Sequence, residues 1–183
     1  MLIKRLIASE LEKEKKSVLL IGPRQTGKST LIRSLKPDLE INLMHETDYL
    51  AFSRNPGELE ERLSEGRPRR VFLDEIQRIP SLLNTIQTIL DRNPRQIQFL
   101  ITGSSARKLR RGHANLLPGR IHVYSMTPLL RAEIGDGINL KACLETGTLP
   151  GIYLEKDESI RKATLRSYAS TYLREEIQAE ALT

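Results

Sequence analysis

One cysteine, three histidines and no tryptophan are the plainest scarcities of this sequence. Cys143 has no partner within the chain, which excludes an intramolecular disulfide framework and a cysteine-rich zinc site. His45, His113 and His122 lie far apart without metal-ligand spacing, which argues against a metal site built from protein side chains alone. Aromatic residues amount to 4%, so the core must be aliphatic, and little remains for the base-stacking platforms of single-strand binders. No apolar run approaches the roughly 20 residues of a membrane span. Met1–Ala8 is too short and too charged for a secretory signal, so a cytoplasmic location without membrane contact is expected. Internal repeats and low-complexity linkers are also missing.

What is present suits a globular protein. The 183 residues are 39% hydrophobic and 28% charged, enough for one well-buried core. The formal charge is +6, and its distribution is uneven. Between Asp91 and Glu133 stand Arg92, Arg95, Arg107, Lys108, Arg110, Arg111, Arg120 and Arg131, with no acid among them. Such a block attracts polyanions, and nucleic acid is the expected partner of Arg107, Lys108, Arg110 and Arg111. A solvated basic face explains the same run.

Short aliphatic runs recur between helical stretches. Residues 3–16 read as a charged amphipathic helix, and Ser17–Ile21 as a buried strand. A helix over Thr30–Lys36 is stopped by Pro37, Leu39–Leu43 is a second strand, and residues 57–65 form a charged helix. Arg70–Leu73 is strand-like. Pro80 and Ser81 open a helix that ends before Pro94, with Leu82, Leu83, Ile86, Ile89 and Leu90 on one face. Ile97–Ile101 and Ile121–Ser125 complete five strands. Strands alternating with helices call for a mostly parallel sheet covered on both faces. From Pro128 the pattern turns helical, and residues 157–180 place Leu165, Tyr168, Ala169, Tyr172 and Leu173 on one stripe. Two parts are expected, 1–127 and 128–183.

Chemistry concentrates at three strand ends. The first strand runs into Gly22-Pro23-Arg24-Gln25-Thr26-Gly27-Lys28-Ser29, which matches G-x-x-x-x-G-K-[ST] between a strand and a helix. Its glycines let the backbone curl so that successive N–H groups face phosphate oxygens. Lys28 would reach the β- and γ-phosphates, Ser29 would ligate Mg²⁺, and Thr30 could touch the α-phosphate. The third strand ends in Asp74-Glu75. Asp74 would hold the Mg²⁺ water shell, and Glu75 would polarise the attacking water, since the metal ligand cannot also be the base. In such a sheet another strand lies between these two, and Ile97–Ile101 ending in Thr102-Gly103-Ser104-Ser105 fits that place. Thr102 or Ser104 would bond the γ-phosphate or the lytic water, while Ser104 or Ser105 also suits a helix N-cap.

Taken in order, Gly22–Ser29, Leu73–Gln77, Ile101–Ala106 and Leu117–Arg120 resemble the AAA+-type ATPases of many prokaryotes. The closer likeness is to those whose ATPase core precedes a C-terminal domain of unknown function. The resemblance implies an α/β P-loop NTPase sandwich of three layers, with a five-stranded parallel sheet of order 5-1-4-3-2 and a small C-terminal helical lid. It implies ATP and Mg²⁺, and it places Arg120 as an arginine finger acting on a neighbour's γ-phosphate, hence a homo-oligomer. Pro150, in Gly147-Thr148-Leu149-Pro150, resembles an element pressed against adenine, although a helix–helix turn explains it equally well. Such proteins usually continue beyond the point that corresponds to Thr183, so a further C-terminal domain or a protein partner is expected. Arg161 and Arg166 are the lid's candidates for a second sensor.

The leading expectation is an ATP-hydrolysing switch or motor module. A nucleic-acid-binding switch gated by ATP is the alternative, and a small-molecule P-loop kinase a weaker one, because Glu75 directly follows the Mg²⁺ aspartate. Asn-Lys-x-Asp does not occur, which disfavours a GTPase.

Overall fold

The aliphatic runs pair side by side. In the computed structural model, which describes residues 3–92, 96–104, 109 and 117–173, five strands form one parallel sheet. They are β1 (Ser17–Ile21), β2 (Leu39–Asn42), β3 (Arg70–Asp74), β4 (Gln98–Gly103) and β5 (Ile121–Ser125), in the order β2-β3-β4-β1-β5. This is the α/β architecture and the strand order expected. Register sets Val18 beside Leu100 and Leu73 beside Ile101.

Alternation along each strand divides the core into two layers. Leu19, Ile41, Leu73, Phe99 and Ile101 face α3 (Glu46–Arg54), α4 (Glu58–Gly66) and α5 (Leu82–Arg92). Val18, Leu20, Phe72 and Leu100 face α1 (Ala8–Lys13) and α2 (Lys28–Ser34). Leu83 and Ile86 of α5 are fully buried. Each contributes about 1.5–3 kcal/mol relative to an exposed position.

Five elements depart from the sequence reading. The first helix covers Ala8–Lys13 rather than 3–16. Glu14 Oε1 accepts the amides of Lys15 and Lys16, which ends the helix, and residues 3–5 run irregularly to place a buried arginine. Helix α2 begins earlier than expected, at Lys28, and β2 ends at Asn42. Helix α3 was not expected, because Phe52 is its single buried residue and its sequence carries no apolar stripe. The helix expected over 157–180 covers Glu158–Tyr168, capped by Asp157, and passes into a π-turn at Ala169–Leu173. Ala169 is exposed rather than buried, so the expected stripe is not one continuous apolar face, and residues 174–180 lie outside the described residues.

Two compact units divide the chain. One comprises Leu6–Pro23 and Lys28–Met126 and carries the whole sheet. The other gathers Arg5, Arg24–Gly27 and the described residues from Thr127 onward. In that second unit Arg5 is 8% exposed and fully engaged. Its Nε donates to Glu133 at 2.9 Å, and its terminal nitrogens donate to the carbonyls of Thr26 at 2.6 Å and Thr127 at 2.7 Å. Short helices at Arg131–Ile134, Leu140–Thr146 and Pro150–Tyr153 precede Glu158–Tyr168. Among the described residues no helix is long and apolar enough to cross a membrane.

Candidate functional site at the strand ends

The loop after β1 is shaped by residues that tolerate unusual backbone. Gly22 has φ of 152°, and a Cβ there would lie 2.1 Å from the carbonyl oxygen of Met126. Nothing larger than glycine fits, because Met126 is itself fixed by its N–H bond to Ile21 at 2.7 Å. Gln25 (φ 64°) and Gly27 (φ 92°) also take left-handed backbone, so the chain reverses repeatedly before entering α2. Lys28 opens that helix and is 5% exposed. Its ammonium donates to the carbonyls of Gly22 and Pro23, each at 2.8 Å, and so draws the loop around itself.

Asp74, at the end of β3, is 4% exposed. One of its oxygens, Oδ1, accepts from the Ser29 hydroxyl at 2.8 Å and from the Thr102 hydroxyl at the end of β4. Arg33 of α2 lies 3.7 Å from the other oxygen. Thr102 also accepts the N–H of Glu75 at 3.2 Å. Glu75 is itself in left-handed backbone (φ 60°), a conformation uncommon for a residue with a side chain and concentrated at functional sites. Gln77, in the short 3-10 turn Ile76–Arg78, donates to Glu75 Oε2 and accepts the N–H of Ser104 at 3.1 Å. The buried Ser104 hydroxyl has no hydrogen-bond partner among the described residues.

Lys28, Ser29, Asp74, Glu75 and Thr102 therefore meet at the carboxyl ends of β1, β3 and β4. Thr30 is an exposed residue of α2. Thr26 is buried and Arg24 half-buried, and both belong to the second compact unit. There the Arg24 carbonyl accepts from the Tyr168 hydroxyl at 3.4 Å, and its guanidinium sits 5.7 Å above the Tyr172 ring. Pro150, in the same unit, is the first residue of its helix. Arg120 is not among the converging residues: it precedes β5, whose first residue pairs with Ser17 at the start of β1. That places it at the amino ends of the strands. It forms a two-pronged pair with Asp91, whose nearer contacts are 2.5 and 3.0 Å, and the pairing holds the Asp91 carboxyl below its ordinary range. Arg107, Lys108, Arg110 and Arg111 lie outside the described residues.

Sequence reasoning missed Gln77, Arg33 and Arg5. Gln77 stands within a motif that resembles a family, but a glutamine carries no chemical signal of its own. Arg5 is one arginine among several near the start of a charged stretch, and nothing local marks it as buried.

At the carboxyl ends of the strands, the turn that follows β1 thus stands beside the acidic end of β3. Residues 14–135, well over half of the chain, match the AAA domain family, and the chain belongs to that family of AAA-type P-loop ATPases. It is 27% identical over 163 residues to an uncharacterized protein of Mycobacterium bovis, and to the same extent to one of Mycobacterium tuberculosis. Each alignment covers 87% of this chain and 36% of the relative, so the chain spans little more than a third of their length. Among solved structures, Caenorhabditis elegans PCH-2 is 19% identical with a TM-score of 0.46, covering 64% of this chain and 36% of that one. A DNA replication initiation factor is 13% identical with a TM-score of 0.43, covering 96% and 58%.

Proposed function

We propose that Gly22–Ser29 and the ends of β3 and β4 bind ATP with Mg²⁺ and hydrolyse it, and that the nucleotide state acts as a switch on a partner. The observation that carries this reading is the convergence of the Ser29 and Thr102 hydroxyls on Asp74 Oδ1, beside Lys28 and Glu75. A hydroxyl and a carboxylate are hard oxygen ligands of the kind Mg²⁺ prefers. The orphaned Ser104 hydroxyl further supports a polar ligand at the end of β4.

In this mechanism Ser29 and Asp74 would hold the cation, which would supply neutralisation of the charge on the phosphate oxygens. Lys28 exchanges its two carbonyl partners for β- and γ-phosphate oxygens. Glu75 accepts a proton from water as its oxygen bonds to the γ-phosphorus, and the bond from that phosphorus to the β–γ bridging oxygen breaks, leaving ADP. Thr102 orients the water or the γ-phosphate. Tyr168, bonded to Arg24, and Tyr172, stacked with it, would carry a change at Arg24 into the helix that ends at Tyr168 and the π-turn that follows it.

Equilibrium binding of a fluorescent ATP analogue tests the site. Lys28→Ala is expected to weaken binding by tenfold or more, while Glu75→Gln, which keeps the shape, binds as the parent does. Undiminished binding by Lys28→Ala would remove the phosphate loop from the proposal.

A further inference from the structure

We infer that the amino ends of the strands form a second anion site, a track for the phosphodiester backbone of nucleic acid that is separate from the ATP loop. The residues concerned are scattered in sequence and none belongs to the basic run of residues 107–111. A hollow of about 870 Å³ at this end is lined by Lys15, Lys16, Arg69, Arg70 and Arg120, with Asp91 its one carboxylate among the described residues. Asp91 is already engaged by Arg120. A neighbouring hollow of about 720 Å³ shares Arg69 and adds Arg67, so the two form a continuous basic strip.

Two acids that border this strip, Glu14 and Asp38, are spent on other partners. Glu14 accepts from Tyr124 and from the His122 side, and its other oxygen takes the amides of Lys15 and Lys16. Asp38 accepts the backbone amides of Arg69 and Arg70, both at 2.8 Å. No ion pair among the described residues involves the side chains of Lys15, Lys16, Arg67 or Arg69.

The frame beneath these cations is fixed. The Gln98 carboxamide donates to the carbonyls of Glu14 and Lys16 at 2.8 and 2.9 Å and accepts from Arg70 Nε at 3.1 Å. Arg70 also donates to the Leu35 carbonyl at 2.6 Å. The turn carrying the two lysines and the start of β3 are thereby held in one arrangement, which lowers the ordering cost of binding. Cations spread along a strip suit a ligand with repeating charge rather than a single anion. The scarcity of aromatic residues indicates contact with phosphates and not with bases, hence binding with little sequence preference. Because Lys28 and Asp74 lie at the opposite strand ends, nucleic acid and ATP could be held together.

The proposal stands independently of ATP hydrolysis and is tested on the whole chain. A fluorescent mixed-sequence DNA duplex is titrated by anisotropy over a salt series. Contact with about four phosphates predicts a log–log slope near −3.6. Lys15→Glu/Lys16→Glu/Arg69→Glu, all at exposed positions, should bind at least tenfold more weakly at low salt with a flatter slope, while its binding of the ATP analogue is unchanged. The milder Arg67→Glu/Arg69→Glu should show the same trend. Lys28→Ala should retain DNA affinity. The inference is overturned if the parent shows no affinity at low salt, or if the triple variant binds as the parent does while Arg107→Glu/Arg110→Glu does not. Competition by poly-glutamate equal to that by DNA at matched charge would also overturn it, in favour of an acidic protein partner.

Discussion

Glu75 is held by its neighbours in a way that bears directly on its proposed task. The Gln77 carboxamide touches its carboxylate on one side and the Ser104 amide on the other. Gln77 thus joins the proposed base to the end of β4. Gln77→Leu removes both bonds and leaves the Ser104 N–H without that acceptor, at a cost of about 1–3 kcal/mol in stability. The expected outcome is a several-fold loss of kcat for ATP with little change in binding of the analogue. Equal losses in both would make Gln77 merely structural. At this scale the sequence was legible where chemistry demands a residue type. Lys28, Ser29, Asp74 and Glu75 follow from the loop pattern and an acidic strand end. Gln77 and Arg5 did not, because their roles depend on partners far away in the sequence, such as the Ser104 amide and the Thr127 carbonyl.

Strands were the most legible elements. The central three, β1, β3 and β4, are aliphatic runs that the parallel sheet buries along most of their length, whereas the edge strands β2 and β5 are only partly buried. Helices were less so. The reading of 3–16 as one helix failed because Glu14 turns its side chain back onto Lys15 and Lys16, a competition between side chain and helix that periodicity does not register. Glu14 also ties this turn to β5. The hydrogen bond with His122, and next the Lys16 amide, lower its pKa from the ordinary 4.5 to about 2. A carboxylate depressed on folding stabilises the native state fully above its unfolded pKa, and that stabilisation disappears as pH falls through the folded value. Stability from Glu14 should therefore be intact above about pH 4.5 and lost progressively toward pH 2. Thermal midpoints of the parent and Glu14→Gln, measured from pH 6 downward, should differ by several degrees at the upper end and converge toward the lower. A constant difference would show that Glu14 acts by shape alone.

For the whole molecule, the sheet order and the loop agree with membership of the AAA domain family, while the partner and the assembly remain proposals. Arg120 is the residue through which the family resemblance implies assembly. It is paired with Asp91 at the amino ends of the strands, so action on a neighbour's nucleotide would require that pair to open. Hydrolysis completed by a neighbour makes turnover per subunit rise with protein concentration; a site complete in one chain makes it flat. Either behaviour leaves the identity of the site intact, and the decisive comparison is with the blank. The measurement is phosphate release from ATP per subunit, with and without Mg²⁺, for the parent and Glu75→Gln over a wide range of concentration. Mg²⁺-dependent release by the parent, reduced at least a hundredfold in Glu75→Gln while the analogue still binds, is the predicted result. Release at the parent's rate by Glu75→Gln would contradict the assignment of the base and, with it, the proposed mechanism.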